Sequence, residues 1–133
     1  MKKTLGTFEK VSFPEFGINN IMAKIDTGAF TGALHCTKVK EIEEDGIRVL
    51  QFSPFDHPKT TYKTDNFERG IIKSSNGKTE ERYFIETSVM LRGKRYAVTL
   101  TLADRSEMKW PVLIGRRFLH TNEFIVDVSE TRK

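Results

Sequence analysis

The stretch that decides the fold is Ile21-Met22-Ala23-Lys24-Ile25-Asp26-Thr27-Gly28-Ala29. Its first five residues alternate in the way that is typical of a half-buried β-strand. Asp26-Thr27-Gly28 then predicts a tight turn, because aspartate and threonine side chains can bond to turn backbone and glycine permits a tight backbone path. The sequence therefore predicts a strand that delivers one carboxylate to a rigid turn.

A carboxylate presented in this way can be catalytic or merely structural. It acts as a general base on water only if it is positioned and partly desolvated. A single carboxylate is a weak catalyst of peptide hydrolysis. Two carboxylates a few ångströms apart share one proton and can divide the acid and base roles. The Asp-Thr-Gly motif occurs once in 133 residues, so a catalytic Asp26 would need a second copy of the chain. The structural alternative is an ordinary Asx-type turn.

The rest of the chain alternates with period two between turn residues, which indicates β structure. Leu5 to Phe13 reads as a first strand. The pairs Asp45-Gly46, Asn76-Gly77 and Arg92-Gly93 each separate two alternating runs and predict hairpins. The sequence thus predicts a mostly antiparallel β domain.

The end of the chain adds a short helix to this pattern. Pro111-Val112-Leu113-Ile114-Gly115 reads as a short apolar strand, and Arg116 to His120 as one or two helical turns. Phe124 to Val128 is predicted to be the last strand.

Length and composition limit the class of protein. The 133 residues suit one domain, 1–133, and 38% of them are hydrophobic with mixed charges, an ordinary globular profile. No apolar run long enough for a membrane span is present, and no apolar stretch follows the basic start, so neither a membrane anchor nor a signal peptide is predicted. A single cysteine, Cys36, fits a reducing compartment, and the cytoplasm is the expected location.

The charge of +4 and the pI near 9.2 are mildly basic. No arginine-rich stripe, zinc-finger spacing or RNA-binding aromatic signature accompanies them, so nucleic-acid binding is not predicted. The same positive charge is explained equally simply by an affinity for acidic peptides.

Three elements, in their order along the chain, resemble the retropepsin-like aspartic peptidases, the fold of the retroviral proteases. They are Asp26-Thr27-Gly28-Ala29, Ser74-Ser75-Asn76-Gly77 and Val112-Leu113-Ile114-Gly115-Arg116. In that family a strand enters Asp-Thr-Gly-Ala, a glycine-rich flap hairpin covers the cleft, and a late apolar-Gly-Arg element packs behind the catalytic turn. The resemblance implies an all-β closed barrel with one short helix near the C-terminus, assembled as a homodimer.

The same resemblance assigns roles at the turn and at the flap. Asp26 would be the catalytic acid, Thr27 would brace the two turns across the dimer, and Gly28 would offer backbone groups to substrate. Ala29 and the flap tip, Ser74 to Gly77, would contact an extended peptide. A plain surface hairpin is the alternative reading of the flap tip.

Gly115, Arg116 and His35 would support the turn. In this fold the arginine after the late glycine pairs with groups near the catalytic turn, although a solvated helix residue is the alternative for Arg116. For His35 a structural hydrogen bond is expected.

Within this fold the chain is similar to a bacterial family that carries the name ATP-dependent zinc protease. Members are often encoded near ATP-grasp ligases that add glutamate to proteins, which implies a functional link to such a ligase. Phe30 and Gly32 stand where members commonly have arginine and serine, so a charge-based contact just after the turn does not carry over. The similarity covers nearly the whole chain through the motifs Phe13 to Ile18, Ala23 to Ala29, Ala33 to His35, Ser74 to Gly77 and Leu113 to Arg116.

Neither zinc nor ATP is predicted from the residues themselves. The candidate ligands His35, Cys36, His57 and His120 include no His-Glu-x-x-His and no paired-cysteine motif. Adjacent residues of a strand point to opposite faces, which argues against His35 and Cys36 sharing a metal or forming a base–nucleophile pair. Cys36 is expected to be a small buried hydrophobe. A phosphate-binding Gly-x-x-x-x-Gly-Lys-Ser/Thr loop is absent as well, so no cofactor is predicted.

The sequence therefore predicts an aspartic peptidase that hydrolyses peptide or isopeptide bonds with water activated between two Asp26 carboxylates. Two alternatives remain open. One is a non-catalytic module of the same fold that binds extended, glutamate-rich tails. The other is a monomer in which Asp26 only stabilises a turn.

Overall fold

The computed structural model describes residues 2–54, 61–73, 77–103 and 110–130. Strands dominate these residues, together with a 3-10 helix, Pro14–Phe16, and one α-helix, α1 (Arg116–Thr121). The strands are β1 (Lys3–Leu5), β2 (Phe8–Phe13), β3 (Ile18–Ile25), β4 (Gly32–Glu44), β5 (Ile47–Pro54), β6 (Tyr62–Thr64), β7 (Phe67–Lys73), β8 (Thr79–Leu91), β9 (Lys94–Ala103), β10 (Val112–Ile114) and β11 (Phe124–Val126).

Six strands form a ring in the order β10-β3-β2-β8-β9-β4, which closes because β10 pairs with both β3 and β4. Strands β5 and β6 extend the sheet beyond β4, and β7 pairs with β8. Most pairings are antiparallel, while β3–β10, β4–β9 and β1–β11 are parallel. The predicted all-β fold with one short helix near the C-terminus is confirmed, and this ring stands where a closed barrel was predicted.

Apolar residues at alternate positions fill the interior of the ring. On β9, Val98, Leu100 and Leu102 form the buried face that alternation predicts. On the other face Ala97 is exposed and Thr99 is half-buried, but Thr101 is buried and its hydroxyl donates to the Gly32 carbonyl at 3.2 Å. The largest fully buried side chains come from five strands of the ring, from β1 and from β5: Leu5, Val11, Phe13, Leu34, Leu50, Phe52, Ile85, Val89, Leu91, Leu100, Val112 and Ile114.

The predicted hairpins form with the expected turn geometry. Asp45 and Gly46 have φ of 51° and 79°, and Arg92 and Gly93 have φ of 52° and 78°. Positive φ at both central positions is the signature of the tight turns that match strand twist. Lys73 lies opposite Thr79 across the third hairpin.

The prediction of one strand from Leu5 to Phe13 is wrong. The strand is broken at Gly6 and Thr7, because β1 leaves the ring and pairs with β11 in a separate two-stranded sheet. The predicted last strand likewise ends at Val126, since Asp127 begins a turn. Both corrections arise from contacts between the two ends of the chain.

Candidate functional site

The turn after β3 holds the Asp26 carboxylate with its own backbone. The Asp26 N–H donates to the Ile114 carbonyl at 2.8 Å, and the Ala29 N–H donates to the Asp26 carbonyl at 3.3 Å. The Gly28 N–H donates to Asp26 Oδ1 at 3.0 Å. Asp26 is half-buried, Thr27 and Gly28 are exposed, and no described residue bonds to Oδ2. One carboxylate oxygen is thus fixed while the other is available to a ligand.

Arg116 supports this turn from the first residue of α1. Its backbone N–H donates to the Ala29 carbonyl at 2.7 Å, and its Nη1 donates to the Thr27 carbonyl at 3.2 Å. The next residue, Arg117, donates its backbone N–H to the Phe30 carbonyl at 2.9 Å. The Arg116 guanidinium also lies 5.7 Å from the centre of the exposed Phe30 ring, within cation–π range. Arg116 therefore contacts the turn as an architectural role requires.

Gly115 allows two backbone segments to touch behind the turn. A Cβ at Gly115 would lie 2.6 Å from the Gly32 nitrogen and 2.8 Å from the Phe30 carbonyl oxygen. A Cβ at Gly32 would lie 2.3 Å from the Leu113 carbonyl oxygen. Both positions therefore require glycine. Gly32 is a structural residue that the sequence prediction missed. Two features of the sequence pointed to this role, its position close to the Asp26 turn and the presence of the late glycine, Gly115.

His35 lies on β4, buried, and its backbone N–H donates to the Pro111 carbonyl at 2.9 Å. Cys36, which follows it, is completely buried in the core. The burial of Cys36 agrees with its interpretation as a small hydrophobe.

The flap hairpin consists of β7 and β8, and its base is attached to β4. The Tyr83 hydroxyl donates to Glu41 Oε2 at 3.2 Å, and the same oxygen lies 3.3 Å from Arg48 and 3.9 Å from Arg69. Burial, followed by the negative charge of Glu41, raises the pKa of Tyr83 above its usual value. These contacts were not foreseen from the sequence. Of the predicted flap tip, Gly77 has φ of 85°, and Ser74, Ser75 and Asn76 lie outside the described residues.

Two adjoining cavities run from Phe30, just after the Asp26 turn, to the β7–β8 hairpin. The first, about 230 Å³, is lined by Phe30 and by residues of β9 and α1. The second, about 400 Å³, is lined mainly by β7. Glu86, Thr99 and Arg117 line both cavities, which together form one groove.

A zinc site does not fit the described part of the chain. No three His, Cys, Asp or Glu side chains among those residues are grouped so that they could hold a metal ion. His35 is buried on β4, His120 is exposed on α1, and His57 lies outside the described residues. Within the same residues, no helix has the length and apolar character needed to span a membrane.

Comparison with known protein families identifies the family of this chain. The model of the RimB-like family, described as retropepsin-like aspartic endopeptidase RimB, matches residues 4–133. The chain belongs to this family. The predicted resemblance to retropepsin-like aspartic peptidases is thereby confirmed, and the ring of strands is the retropepsin-like fold of a RimB-like protein.

Curated relatives of this RimB-like chain carry a different name. Proteins named "Probable alpha-L-glutamate ligase" from Shewanella pealeana and Desulfotalea psychrophila are 32% and 33% identical over 98% and 95% of the chain. The chain spans only 29% and 28% of their length. A crystal structure of a protein of unknown function from Legionella pneumophila has a TM-score of 0.77 and 26% identity, covering 98% of this chain and 97% of that one.

Proposed function

We propose that this RimB-like chain is an aspartic peptidase that hydrolyses peptide or isopeptide bonds as a homodimer. The observation that carries the proposal is the Asp26 turn, in which Oδ1 is held by the Gly28 N–H at 3.0 Å. Arg116 braces the same turn from behind through the Thr27 carbonyl. A carboxylate whose orientation is fixed before substrate arrives is what general base catalysis needs.

The proposed chemistry requires two such turns facing each other. Two close carboxylates would hold one proton between them, because both cannot ionise easily. The ionised Asp26 would take a proton from water as the water oxygen attacks the carbonyl carbon, and the protonated Asp26 would give its proton to the carbonyl oxygen. The Asp26 that took the proton from water would then pass it to the nitrogen as the C–N bond of the tetrahedral intermediate breaks. The other Asp26 would take a proton from one hydroxyl of the intermediate, which leaves an acid, an amine and the original pair of carboxyl groups.

The small sheet of β1 and β11 supports the proposed homodimer. Each strand has three residues, and the two strands pair only with each other among the described residues. A two-stranded sheet is marginally stable by itself. Ile125 and Val128 are 49% and 82% exposed there. A second copy that adds its strands to these edges would complete the sheet and cover the apolar residues, in an isologous contact.

An extended peptide is the proposed substrate, bound beneath the flap hairpin. Ala29 and Gly77, with Ser74, Ser75 and Asn76, are its proposed contacts. The groove that begins at Phe30 and passes Arg117 offers further room for side chains. We also infer a cytoplasmic location and a functional link to a glutamate ligase, since relatives carry that name.

A non-catalytic peptide-binding module is the second candidate. The relatives named as ligases are more than three times as long as the region they share with this chain. Within such proteins a domain of this kind could hold a glutamate-rich tail without cutting it, and the pI near 9.2 would favour acidic ligands.

Asp26→Asn tests the proposal, because it keeps the size of the side chain and removes its function as a base. Cleavage of a set of extended peptides, glutamate-rich ones included, should fall by at least about a thousandfold. Asp45→Asn makes the same chemical change in the β4–β5 turn and should leave cleavage unchanged. If wild type and Asp26→Asn bind the peptides equally and neither cleaves them, the binding module replaces the peptidase.

A further inference from the structure

An ion pair between a buried carboxylate and a partly exposed guanidinium joins β2 to the turn between β8 and β9. Glu9 is only 3% exposed. Its two carboxylate oxygens accept from Arg92 Nε at 3.0 Å and Arg92 Nη2 at 2.6 Å, a bidentate pair. Glu9 Oε2 also accepts from the Gly6 N–H at 2.8 Å, at the break between β1 and β2. The pair is therefore attached to the chain where it leaves the ring.

The same guanidinium reaches the segment that follows β11. Arg92 Nη2 lies 3.2 Å from Glu130 Oε1. The Glu130 carbonyl in turn accepts from the Thr7 N–H at 3.0 Å, and a Cβ at Gly6 would lie 2.4 Å from that carbonyl oxygen. Arg92 is thus connected to both strands of the β1–β11 sheet at the end where the chain leaves it, to β1 through Glu9 and Gly6 and to β11 through Glu130.

The backbone at Arg92 indicates that its side chain is needed. Its φ of 52° lies in the left-handed region, which arginine adopts at a cost and which asparagine or glycine would adopt more easily. The turn alone would thus favour another residue. Hydrogen bonding to Glu9 raises the pKa of Arg92 above its usual value, so that the guanidinium is always charged.

Stability of one subunit is a weak explanation for such an arrangement. Removing a bidentate pair from water costs about as much as the pairing returns, whereas polar pairs of this kind are best attested as devices that fix register or oligomeric state. The sheet that Arg92 holds is the one whose edges are unpaired in the described chain. Its orientation relative to the ring decides where a second subunit would dock.

We propose that Arg92, acting through Glu9 and Glu130, is a positioning residue that sets the β1–β11 sheet in the orientation required for dimer assembly. This inference rests on the proposed homodimer with paired Asp26 residues. The contacts of Arg92 lie where the chain leaves the small sheet and not at the Asp26 turn, so its effect on activity runs through the population of assembled dimer. A loss of Arg92 contacts should consequently be overcome by raising the protein concentration.

Glu130→Gln is the main test, because it weakens the outer contact and leaves the Arg92–Glu9 pair in place. Sedimentation across a dilution series should give a dimer dissociation constant at least about tenfold higher than that of the wild type. Cleavage per dimer at saturating protein concentration should remain within about twofold of the wild type. Glu123→Gln, the same change in the turn between α1 and β11, should leave both values unchanged.

Substitutions of Arg92 itself separate charge from geometry. Arg92→Asn suits the left-handed turn but removes the guanidinium, and it should dimerise more weakly than Glu130→Gln. Arg92→Lys keeps the charge without the bidentate geometry and should recover part of the loss.

The outcomes separate this inference from the proposed function. Equal dissociation constants for Glu130→Gln and wild type would overturn the role of Arg92 while the Asp26 peptidase stands. The role of Arg92 would also be overturned if Glu130→Gln lowered only the thermal stability of the subunit. A wild-type chain that cleaves peptide as a monomer at every concentration would overturn both the homodimer and the role of Arg92.

Discussion

The Asp26 turn and the β1–β11 sheet are held in place by different kinds of interaction. Around the turn, the Asp26 N–H donates to the Ile114 carbonyl of β10, and the N–H groups of Ala29 and Arg116 donate to carbonyls of the turn itself. Gly32 and Gly115 let the backbones behind the turn touch. The β1–β11 sheet has two strands of three residues. Its connection to the ring includes the charged contacts of Arg92.

This difference indicates which region has a fixed structure in a single subunit and which depends on a second one. Several short backbone hydrogen bonds and close contacts at glycines hold the turn. It is therefore expected to keep its shape in an isolated subunit. The β1–β11 sheet has unpaired edges in the described chain and exposed apolar residues, so it is expected to gain order when a second copy binds. Substitutions in the two regions should consequently affect different quantities, folding in one and assembly in the other.

The largest expected effect is that of Gly115→Ala. The added methyl would meet backbone atoms of Gly32 and Phe30 within 2.8 Å, and backbone cannot move aside cheaply. Urea unfolding should show a loss of about 3 kcal/mol. Gly46→Ala, in a turn with nothing within 4 Å, carries only the cost of its φ of 79° and should lose about 1 kcal/mol. Equal losses at the two positions would mean that the turn is not tightly packed from behind.

An intermediate effect is expected for Arg116→Met, which keeps the side-chain length and removes the bond to the Thr27 carbonyl. We expect cleavage to fall about tenfold, as the carboxylate becomes less well oriented, with a stability loss of about 1 kcal/mol. Arg95→Met removes an exposed arginine of β9 and serves as the control. Unchanged kcat in Arg116→Met would argue that backbone bonds alone orient the turn.

The smallest effect is expected at Asp127, in the turn after β11. Hydrogen bonds from the Ser129 hydroxyl at 2.6 Å and from its backbone N–H at 2.9 Å lower the pKa of Asp127 below its usual 3.8. The ionised form is the bonded one, so this contribution to stability is present above about pH 3.8 and is lost as the pH falls through the lowered value.

Thermal unfolding of wild type and Asp127→Asn at several pH values measures that contribution. The wild type should be slightly more stable than the variant at about pH 6, and the difference should shrink as the pH falls through the lowered pKa of Asp127. A difference that does not change with pH would show that the Asp127 charge has no part in holding this turn.

The sequence predicted the structure around the Asp26 turn better than that of the β1–β11 sheet. Asp45-Gly46 and Arg92-Gly93 formed the hairpins that local turn chemistry indicates, and the late Gly115-Arg116 pair lies behind the turn. Those features depend on neighbours in sequence or on a family pattern.

The break at Gly6 and the pairing of β1 with β11 could not be predicted in this way. They depend on contacts such as the one between the Thr7 N–H and the Glu130 carbonyl, which lie more than a hundred residues apart along the chain, and local alternation carries no information on such contacts. The Gly32 contact was missed for the same reason, because its neighbour is the Leu113 carbonyl of β10.

The most direct test of the central claim, that two subunits each supply one Asp26, is a subunit-mixing experiment. Wild-type and Asp26→Asn chains are unfolded together, refolded at a fixed total concentration, and assayed for peptide cleavage. Random pairing predicts that activity follows the square of the wild-type fraction, with about a quarter of full activity in an equal mixture. Activity that instead falls in simple proportion to the wild-type fraction, to about half in that mixture, would show that one Asp26 suffices and would contradict the account.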